Sequence, residues 1–276
     1  ETLNYWASMV DGFRCDVAPV VPLAFWLRAR EEVEAVRPGC LWLAESVEPD
    51  FVAGGRADGH AILSDSEIYQ AFDISYEYDV FQCFQDYLEG KGSLRAYAEA
   101  LNRQEYTYPE NYVKLRFLEN HDRLRAAFLI PDGKSLANWT AFLYFQKGMT
   151  LLYGGQERSC VHLPSLFDRD SVDWTSGPDR GEELRRLSRM KKHPLLADGA
   201  YHVRALAGDI LQAVHWAGGR QLTGVFSVRG TQAPVAVDAP DGRYPNLAGE
   251  GEIEVKFGRV RCQVDPIVFE AARMAR

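Results

Sequence analysis

Three short segments of the chain place acidic side chains at the end of an apolar run. They are GFRCD at residues 12–16, LWLAE at 41–45 and FLENHD at 117–122. Apolar runs of this length are typical of strands that are buried on both faces of a parallel sheet. In a parallel α/β barrel, catalytic groups lie at the carboxyl ends of the strands. Asp16, Glu45 and Asp122 would meet there, where carboxyl groups can act as nucleophile, acid or base.

Each of these acids also has a simpler interpretation. A single acid at a strand end is more often a helix cap or half of a surface ion pair, but three acids in matching contexts favour a shared chemical role. Arg14 lies two positions before Asp16 and therefore on the same face of the strand. Its charge would lower the pKa of Asp16, although Arg14 could equally be a structural partner of a buried carboxylate.

The segments between the acids have a helical period. Apolar residues recur on one face from Leu23 to Val36, and Pro38 and Gly39 end that helix directly before the next strand. Similar cycles predict strands near 71–74, 113–119 and 149–153, and helices near 94–101, 135–147 and 182–192. The first part of the chain is therefore predicted to contain five strands, each followed by a helix or a loop.

The pattern changes near residue 200. Six short apolar runs separated by Gly, Asp and Pro turns are typical of antiparallel strands. They lie at residues 201–206, 210–216, 222–228, 234–237, 253–257 and 267–271. The sequence therefore predicts a separate, smaller β domain after the α/β part.

The three acidic segments, in this order, resemble the later motifs of the α-amylase family, glycoside hydrolase family 13. The run MTLLYGGQE at 149–157 resembles the eighth-strand motif of that family. The resemblance extends from about Leu3 to about His193. It implies an α/β fold with a partial (β/α)8 TIM barrel, about strands 4 to 8, followed by an all-β antiparallel C-terminal domain. Residues 1–197 would form the barrel part and residues 198–276 a β-sandwich.

The resemblance also implies a reaction. The family cleaves or transfers α-glucosidic bonds with retention, so the substrate would be an α-glucan or an α-glucoside such as sucrose or trehalose. Asp16 would be the nucleophile, Glu45 the general acid/base and Asp122 the acid that stabilises the transition state, with Arg14 and His121 beside them. Retention requires two carboxyl groups about 5–5.5 Å apart, and neighbouring carboxylates would raise the pKa of Glu45.

The sequence departs from the family pattern before Asp16. The family's earlier motif, an Asp followed by Asn-His on the third strand, has no counterpart in the fifteen residues that precede Asp16. Five strands do not close an eight-stranded barrel. We therefore expect this chain to be incomplete and inactive alone, with its open edge covered by the N-terminal portion of the same enzyme or by a second copy. The alternative is a non-catalytic half-barrel kept for assembly or carbohydrate binding.

Composition excludes several other classes of protein. The chain has 276 residues, a net charge of -8 and a pI near 5.4, which argues against a nucleic-acid surface. No apolar run approaches the roughly 20 residues of a membrane helix. Five cysteines without a C-x-x-C pair favour a reducing compartment such as the cytoplasm. We expect no cofactor and no metal, because the family's usual calcium ligands lie largely in the part that is missing.

The aromatic residues divide into two groups. Trp26 and Trp139 occur at helical spacing among aliphatic residues and are predicted to lie in the core. Four others are predicted in or near loops, where they could stack on a sugar ring or pack against the surface: Tyr76, Tyr78, Phe167 and Trp174. The run FDRD at 167–170 resembles the loop after the eighth strand, and the sequence assigns it no task.

Overall fold

A computed structural model of the chain describes residues 1–175 and 177–274. The chain divides into two compact units. The first unit contains Glu1–Gln85 and Arg103–Leu115, and the second contains Asp86–Asn102 and the chain from Arg116 onward.

The α/β part contains short strands that alternate with helices. The strands are β1 (Gly12–Cys15), β2 (Leu41–Ala44), β3 (Ile74–Tyr76), β4 (Val113–Arg116) and β5 (Met149–Thr150). The helices are α1 (Thr2–Ala7), α2 (Leu23–Val36), α3 (Pro49–Ala57), α4 (Asp65–Ile68), α5 (Tyr78–Leu88), α6 (Leu94–Thr107), α7 (Ala126–Leu129), α8 (Gly133–Phe145), α9 (Gly181–Lys191) and α10 (Pro194–Asp198). Single turns of 3₁₀ helix lie at Ala18–Val20 and Gln156–Arg158.

The strands of the first unit form a parallel sheet. β1 pairs with β2, β2 with β3 and β3 with β4, so that the strand order follows the sequence. Gly12 lies opposite Leu41, and a Cβ atom at Gly12 would lie 2.6 Å from the Leu41 carbonyl oxygen. All parallel strands point the same way, so residues that follow β1 and β2 emerge at one edge. In the second unit, the Leu151 N–H donates to the Arg116 carbonyl at 2.8 Å.

An aromatic cluster holds α2 against the sheet of the first unit. The rings of Trp26, Trp42 and Phe72 meet edge to face with centroids 5.0 to 6.5 Å apart. Trp26 Nε1 also donates to the Ala18 carbonyl at 3.0 Å, which satisfies its one polar atom. The core position predicted for Trp26 is confirmed.

Helix α8 is largely buried in the second unit, with ten buried residues from Ser135 to Phe145. Asp132 caps it by accepting the Ser135 N–H at 2.7 Å. Trp139 is fully buried, as predicted. Asn138 donates to the Val264 carbonyl at 2.8 Å and accepts the Ser227 N–H at 2.8 Å, so α8 shares hydrogen bonds with the chain beyond residue 200.

In the described residues after α10, eight antiparallel strands follow. They are β6 (Ala200–Leu206), β7 (Ile210–Ala217), β8 (Arg220–Ser227), β9 (Pro234–Ala236), β10 (Gly242–Pro245), β11 (Glu252–Lys256), β12 (Arg259–Arg261) and β13 (Ile267–Ala272). They form two four-stranded sheets in the orders β13-β8-β7-β6 and β10-β11-β12-β9. Aliphatic side chains and Phe269 pack together in this region. The change from parallel to antiparallel structure is confirmed, whereas the domain boundary at residues 197 and 198 stays a prediction.

Two further findings concern the whole described part of the chain. None of the described helices combines the length and the apolar character that a membrane crossing requires. The five cysteines, at positions 15, 40, 83, 160 and 262, all carry free thiols.

Candidate active site

Arg14 connects two of the predicted catalytic acids in the first unit. Its Nη1 donates to Asp16 Oδ1 at 2.6 Å, and its Nη2 forms an ion pair with Glu45 Oε1. The Asp16 side chain is 77% exposed, whereas that of Glu45 is only 8% exposed. Strands β1 and β2 end side by side, which brings Arg14, Asp16 and Glu45 together as the sequence predicts. One acid faces solvent, and the other is enclosed.

Backbone hydrogen bonds hold both the side chain and the main chain of Glu45. Glu45 Oε2 accepts the Val17 N–H at 3.0 Å, the Glu45 carbonyl accepts the Ala18 N–H at 3.1 Å, and the Glu45 N–H donates to the Cys15 carbonyl at 3.0 Å. Burial raises the pKa of Glu45, and Asp16 adds to that increase, while the Val17 N–H and Arg14 oppose it. The sequence argument ascribed this shift to neighbouring carboxylates, but burial is the larger cause.

Val17 adopts a conformation that β-branched residues rarely take. Its φ of 38° and ψ of 45° lie in the left-handed region, at a cost of about 1–2 kcal/mol for an L-residue. This turn directs the Val17 N–H toward Glu45. Sequence analysis missed Val17, because no side-chain type indicates a backbone donor.

His121 and Asp122 lie together in the second unit. His121 Nε2 is 3.4 Å from Asp122 Oδ2, and the Asp122 N–H donates to Asn120 Oδ1 at 3.0 Å. The two side chains are about one-third exposed, at 33% and 39%. A ligand can therefore reach both, and the Asn120 side chain fixes the backbone between them.

A buried ion pair supports the FLENHD segment. Arg125 Nη1 pairs with Glu119 Oε1 at 2.6 Å, and both side chains are almost fully buried. The Ala126 N–H donates to Glu119 Oε2 at 2.6 Å. Burial raises the pKa of Glu119, an effect that the Ala126 N–H and Arg125 counteract. Sequence analysis missed this pair, although Arg125 lies only three residues after Asp122.

The same arginine fixes the chain after β5. Arg125 Nη2 donates to the Gly154 carbonyl at 2.9 Å, Nε donates to the His162 carbonyl at 3.0 Å, and the guanidinium lies 4.3 Å from the centre of the Tyr153 ring. Gly155 has φ of +96°, and a Cβ atom there would lie 2.8 Å from Val172 Cγ1. The backbone therefore turns at Gly155 in a conformation that favours glycine.

Comparison with known proteins gives a consistent result. The family model for the bacterial alpha amylase C-terminal domain matches residues 202–269. The α-amylase MalA of Haloarcula japonica is 31% identical over an alignment of 280 residues, gaps included. The alignment covers 94% of this chain and 39% of MalA. The crystal structure of an alpha-amylase from Lactobacillus plantarum matches with a TM-score of 0.94 and 41% identity, over 98% of this chain and 65% of that one. These matches support a C-terminal region of the α-amylase family, glycoside hydrolase family 13.

A second solved α-amylase supports the partial barrel. The noncanonic maltogenic alpha-amylase AmyB of Thermotoga neapolitana matches with a TM-score of 0.81 and 28% identity, over 99% of this chain and 65% of AmyB. The fold class predicted from the motifs is thus confirmed. The chain spans about two fifths of the curated relative MalA and about two thirds of the two solved structures.

The remaining aromatic residues of the chain differ in exposure. Tyr76 and Tyr78 are buried and stack with ring centroids 5.8 Å apart, so their prediction as loop residues available to a sugar is wrong. Phe167 and Trp174 are exposed, at 96% and 53%. The roles of Arg14, Asp16, Glu45, His121 and Asp122 stay predictions.

Proposed function

We propose that this chain supplies the catalytic acids of a retaining α-glycosidase or transglycosidase that acts on α-glucans or α-glucosides. The observation that carries the proposal is the Arg14 guanidinium shared by an exposed Asp16 and a buried Glu45. A retaining enzyme requires one carboxylate that attacks and a second, protonated carboxyl group that donates. Their unequal burial supports this division of roles.

Asp16 is suited to the first chemical step as the nucleophile. Its exposed carboxylate attacks the anomeric carbon and forms a glycosyl ester while the bond to the leaving oxygen breaks. Arg14 orients the carboxylate through the 2.6 Å hydrogen bond. The attack therefore starts from a fixed geometry.

Glu45 is suited to the proton transfers. Its raised pKa favours the protonated form that donates to the leaving oxygen. In the second step, Glu45 takes a proton from water or from a sugar hydroxyl, which then opens the glycosyl ester. Water gives hydrolysis, and a sugar acceptor gives transfer.

His121 and Asp122 are proposed to bind the sugar through its hydroxyl groups, with Asp122 stabilising the distorted ring in the transition state. Both are partly exposed, which ligand binding requires. The buried Glu119 and Arg125 pair keeps their segment in place. Mobility of this segment would weaken contacts that must tighten in the transition state.

We propose that a further part of the same protein, or a second copy of it, covers the edge of the sheet at β1 and completes the enzyme. In the first unit β1 pairs with β2 on one side. Large apolar side chains are exposed on α1 and α2, with Tyr5 at 64%, Trp6 at 48% and Phe25 at 50%. Exposed apolar surface of this kind marks interaction sites. We therefore expect this chain alone to be inactive.

The test uses the full-length protein that contains this chain and a fluorinated α-glucosyl fluoride, which forms a slowly hydrolysed glycosyl ester. Mass spectrometry of the peptides should place the adduct on Asp16, and Asp16→Asn should abolish it. Asp16→Asn and Glu45→Gln should each reduce turnover of an α-glucan by several orders of magnitude. An adduct elsewhere, or losses below about tenfold, would contradict the assigned roles. A protein that neither labels nor turns over would favour the non-catalytic alternative.

A further inference from the structure

The loop after the Gln156–Arg158 turn presents Phe167 to solvent. Phe167 is 96% exposed, more than any other large apolar residue in the described part of the chain. It begins the FDRD run, for which the proposed mechanism has no task. An aromatic ring left in water forgoes the free energy of burial, about 25 cal/mol per Å², which a ligand that covers the ring recovers.

Hydrogen bonds hold the backbone that carries this ring. Ser165 Oγ accepts the N–H groups of Phe167 at 3.2 Å and Asp168 at 3.1 Å, and it donates to Asp168 Oδ2 at 3.0 Å. Asp170 Oδ2 accepts the Ser165 N–H at 2.9 Å and lies 2.7 Å from His162 Nε2. The loop is therefore ordered before a ligand binds, which reduces the entropic cost of binding.

The loop is connected to the predicted sugar-binding segment within the second unit. The His162 carbonyl accepts from Arg125 Nε at 3.0 Å, and the same guanidinium pairs with Glu119. Glu119 lies three residues before Asp122. One buried arginine thus fixes both the Asp122 segment and the root of the Phe167 loop, so the two segments are held by the same support.

We propose that Phe167 is a stacking platform for a glucosyl ring of a bound α-glucan, and that it confers a preference for longer chains. The inference rests on the proposed function. A sugar ring offers an apolar C–H face and a rim of hydroxyl groups. Phe167 offers an exposed ring that is preceded by the exposed Leu166 and followed by the exposed, charged Asp168 and Arg169.

Binding of maltoheptaose to the full-length Glu45→Gln protein, measured by calorimetry, tests the platform without turnover. Phe167→Ala should raise the Kd for maltoheptaose about five- to tenfold, the value of one aromatic contact, and should change the Kd for maltose less than about twofold. Phe167→Trp should restore the affinity. Phe257→Ala is the matched control, because Phe257 is 82% exposed in the C-terminal β region, and it should leave both values unchanged.

The outcomes separate the platform from the catalytic proposal. If Phe167→Ala behaves like Phe257→Ala while the wild type cleaves α-glucan, the platform is wrong and the enzyme stands. If Phe167→Ala weakens maltoheptaose binding while the wild type cleaves nothing, the platform stands and the catalytic proposal fails. If the Glu45→Gln protein does not bind maltoheptaose at all, the proposal that Phe167 is a stacking platform is wrong.

A second measurement tests whether another part of the protein covers the ring. Phe167→Cys in the full-length protein should react rapidly with a thiol reagent, as followed by peptide mass spectrometry at this position, and maltoheptaose should slow the reaction. Slow labelling without sugar would show that protein occupies the site and would overturn the proposal.

Discussion

Removal of Arg125 should destabilise the protein strongly, because the change leaves a buried carboxylate without its counter-ion. Arg125 and Glu119 are 0% and 1% exposed in their side chains. Arg125→Met preserves much of the side-chain volume but removes the partner of Glu119 and the donors to two backbone carbonyls. Breaking one half of a buried pair typically costs about 3–5 kcal/mol. We expect a loss of this size in the free energy of unfolding at neutral pH.

Urea denaturation of the purified protein measures the effect. With a dependence of roughly 1–3 kcal/mol per molar urea, the midpoint should fall by more than about 1 M. Arg28→Met is the surface control, because the Arg28 side chain is 81% exposed in its pair with Glu32, and it should cost less than about 0.5 kcal/mol. A double variant with Glu119→Gln and Arg125→Met should recover part of the loss, because it removes the uncompensated charge.

The pH dependence supplies a sharper test of the same reasoning. Burial raises the pKa of Glu119 in the folded protein, so folding favours the protonated form of this carboxyl group. The resulting contribution to stability is fully present below the ordinary Glu pKa of about 4.3 and is lost as the pH rises through the pKa of the folded protein. Without Arg125 the folded pKa rises further. The deficit of Arg125→Met should therefore shrink as the pH is lowered from 7 toward 4. If Arg125→Met loses no more free energy of unfolding than Arg28→Met, or if its loss grows as the pH is lowered, Arg125 does not stabilise the protein as the counter-ion of Glu119.

Three further predictions concern the active-site turns. Arg14→Gln removes a charge that lowers the pKa of Glu45, so the basic limb of the pH profile of kcat/KM should move to higher pH; a shift to lower pH would contradict this role. Val17→Gly should relieve a left-handed backbone and change the free energy of unfolding by less than about 1 kcal/mol, whereas a larger loss in urea denaturation would show that packing of the valine side chain dominates. Gly155→Ala should destabilise by more than about 1 kcal/mol, because φ is +96° and Val172 Cγ1 would lie 2.8 Å from the new Cβ. Gly54→Ala in α3, where nothing lies within 4 Å, should be neutral or stabilising by up to about 1 kcal/mol in the same assay.

The sequence was sufficient for features that depend on local pattern. The run at 41–45 ends in Glu45 as predicted, and β2 covers Leu41–Ala44, because short apolar runs have few alternatives in a parallel sheet. Helix α5 was missed, since its Tyr78–Leu88 span mixes aromatic, polar and acidic residues without a clear start signal. Strands β10 and β12 were also missed, because they are short and mostly exposed and carry little hydrophobic pattern.

Prediction of the candidate site depended on side-chain type. Carboxylates at strand ends led to the prediction of Asp16, Glu45 and Asp122 as site residues, and in the structure Asp16 and Glu45 share Arg14. The Val17 N–H was not predictable, since it is a backbone group whose direction depends on one left-handed residue. Arg125 was not predictable as a support, since its four partners are spread over more than forty residues of sequence and meet only after folding.

Asn138 has a consequence for how this chain could change in evolution. Its side chain bonds to Val264 and Ser227, although it belongs to helix α8 of the α/β part. A recombination event that exchanged everything after residue 200 would leave this buried amide facing a new backbone, and an unsatisfied buried polar group costs about 1–3 kcal/mol. We therefore expect α8 and the C-terminal strands to be inherited together, with viable crossover points upstream of α8 and not at the domain boundary predicted near residue 197.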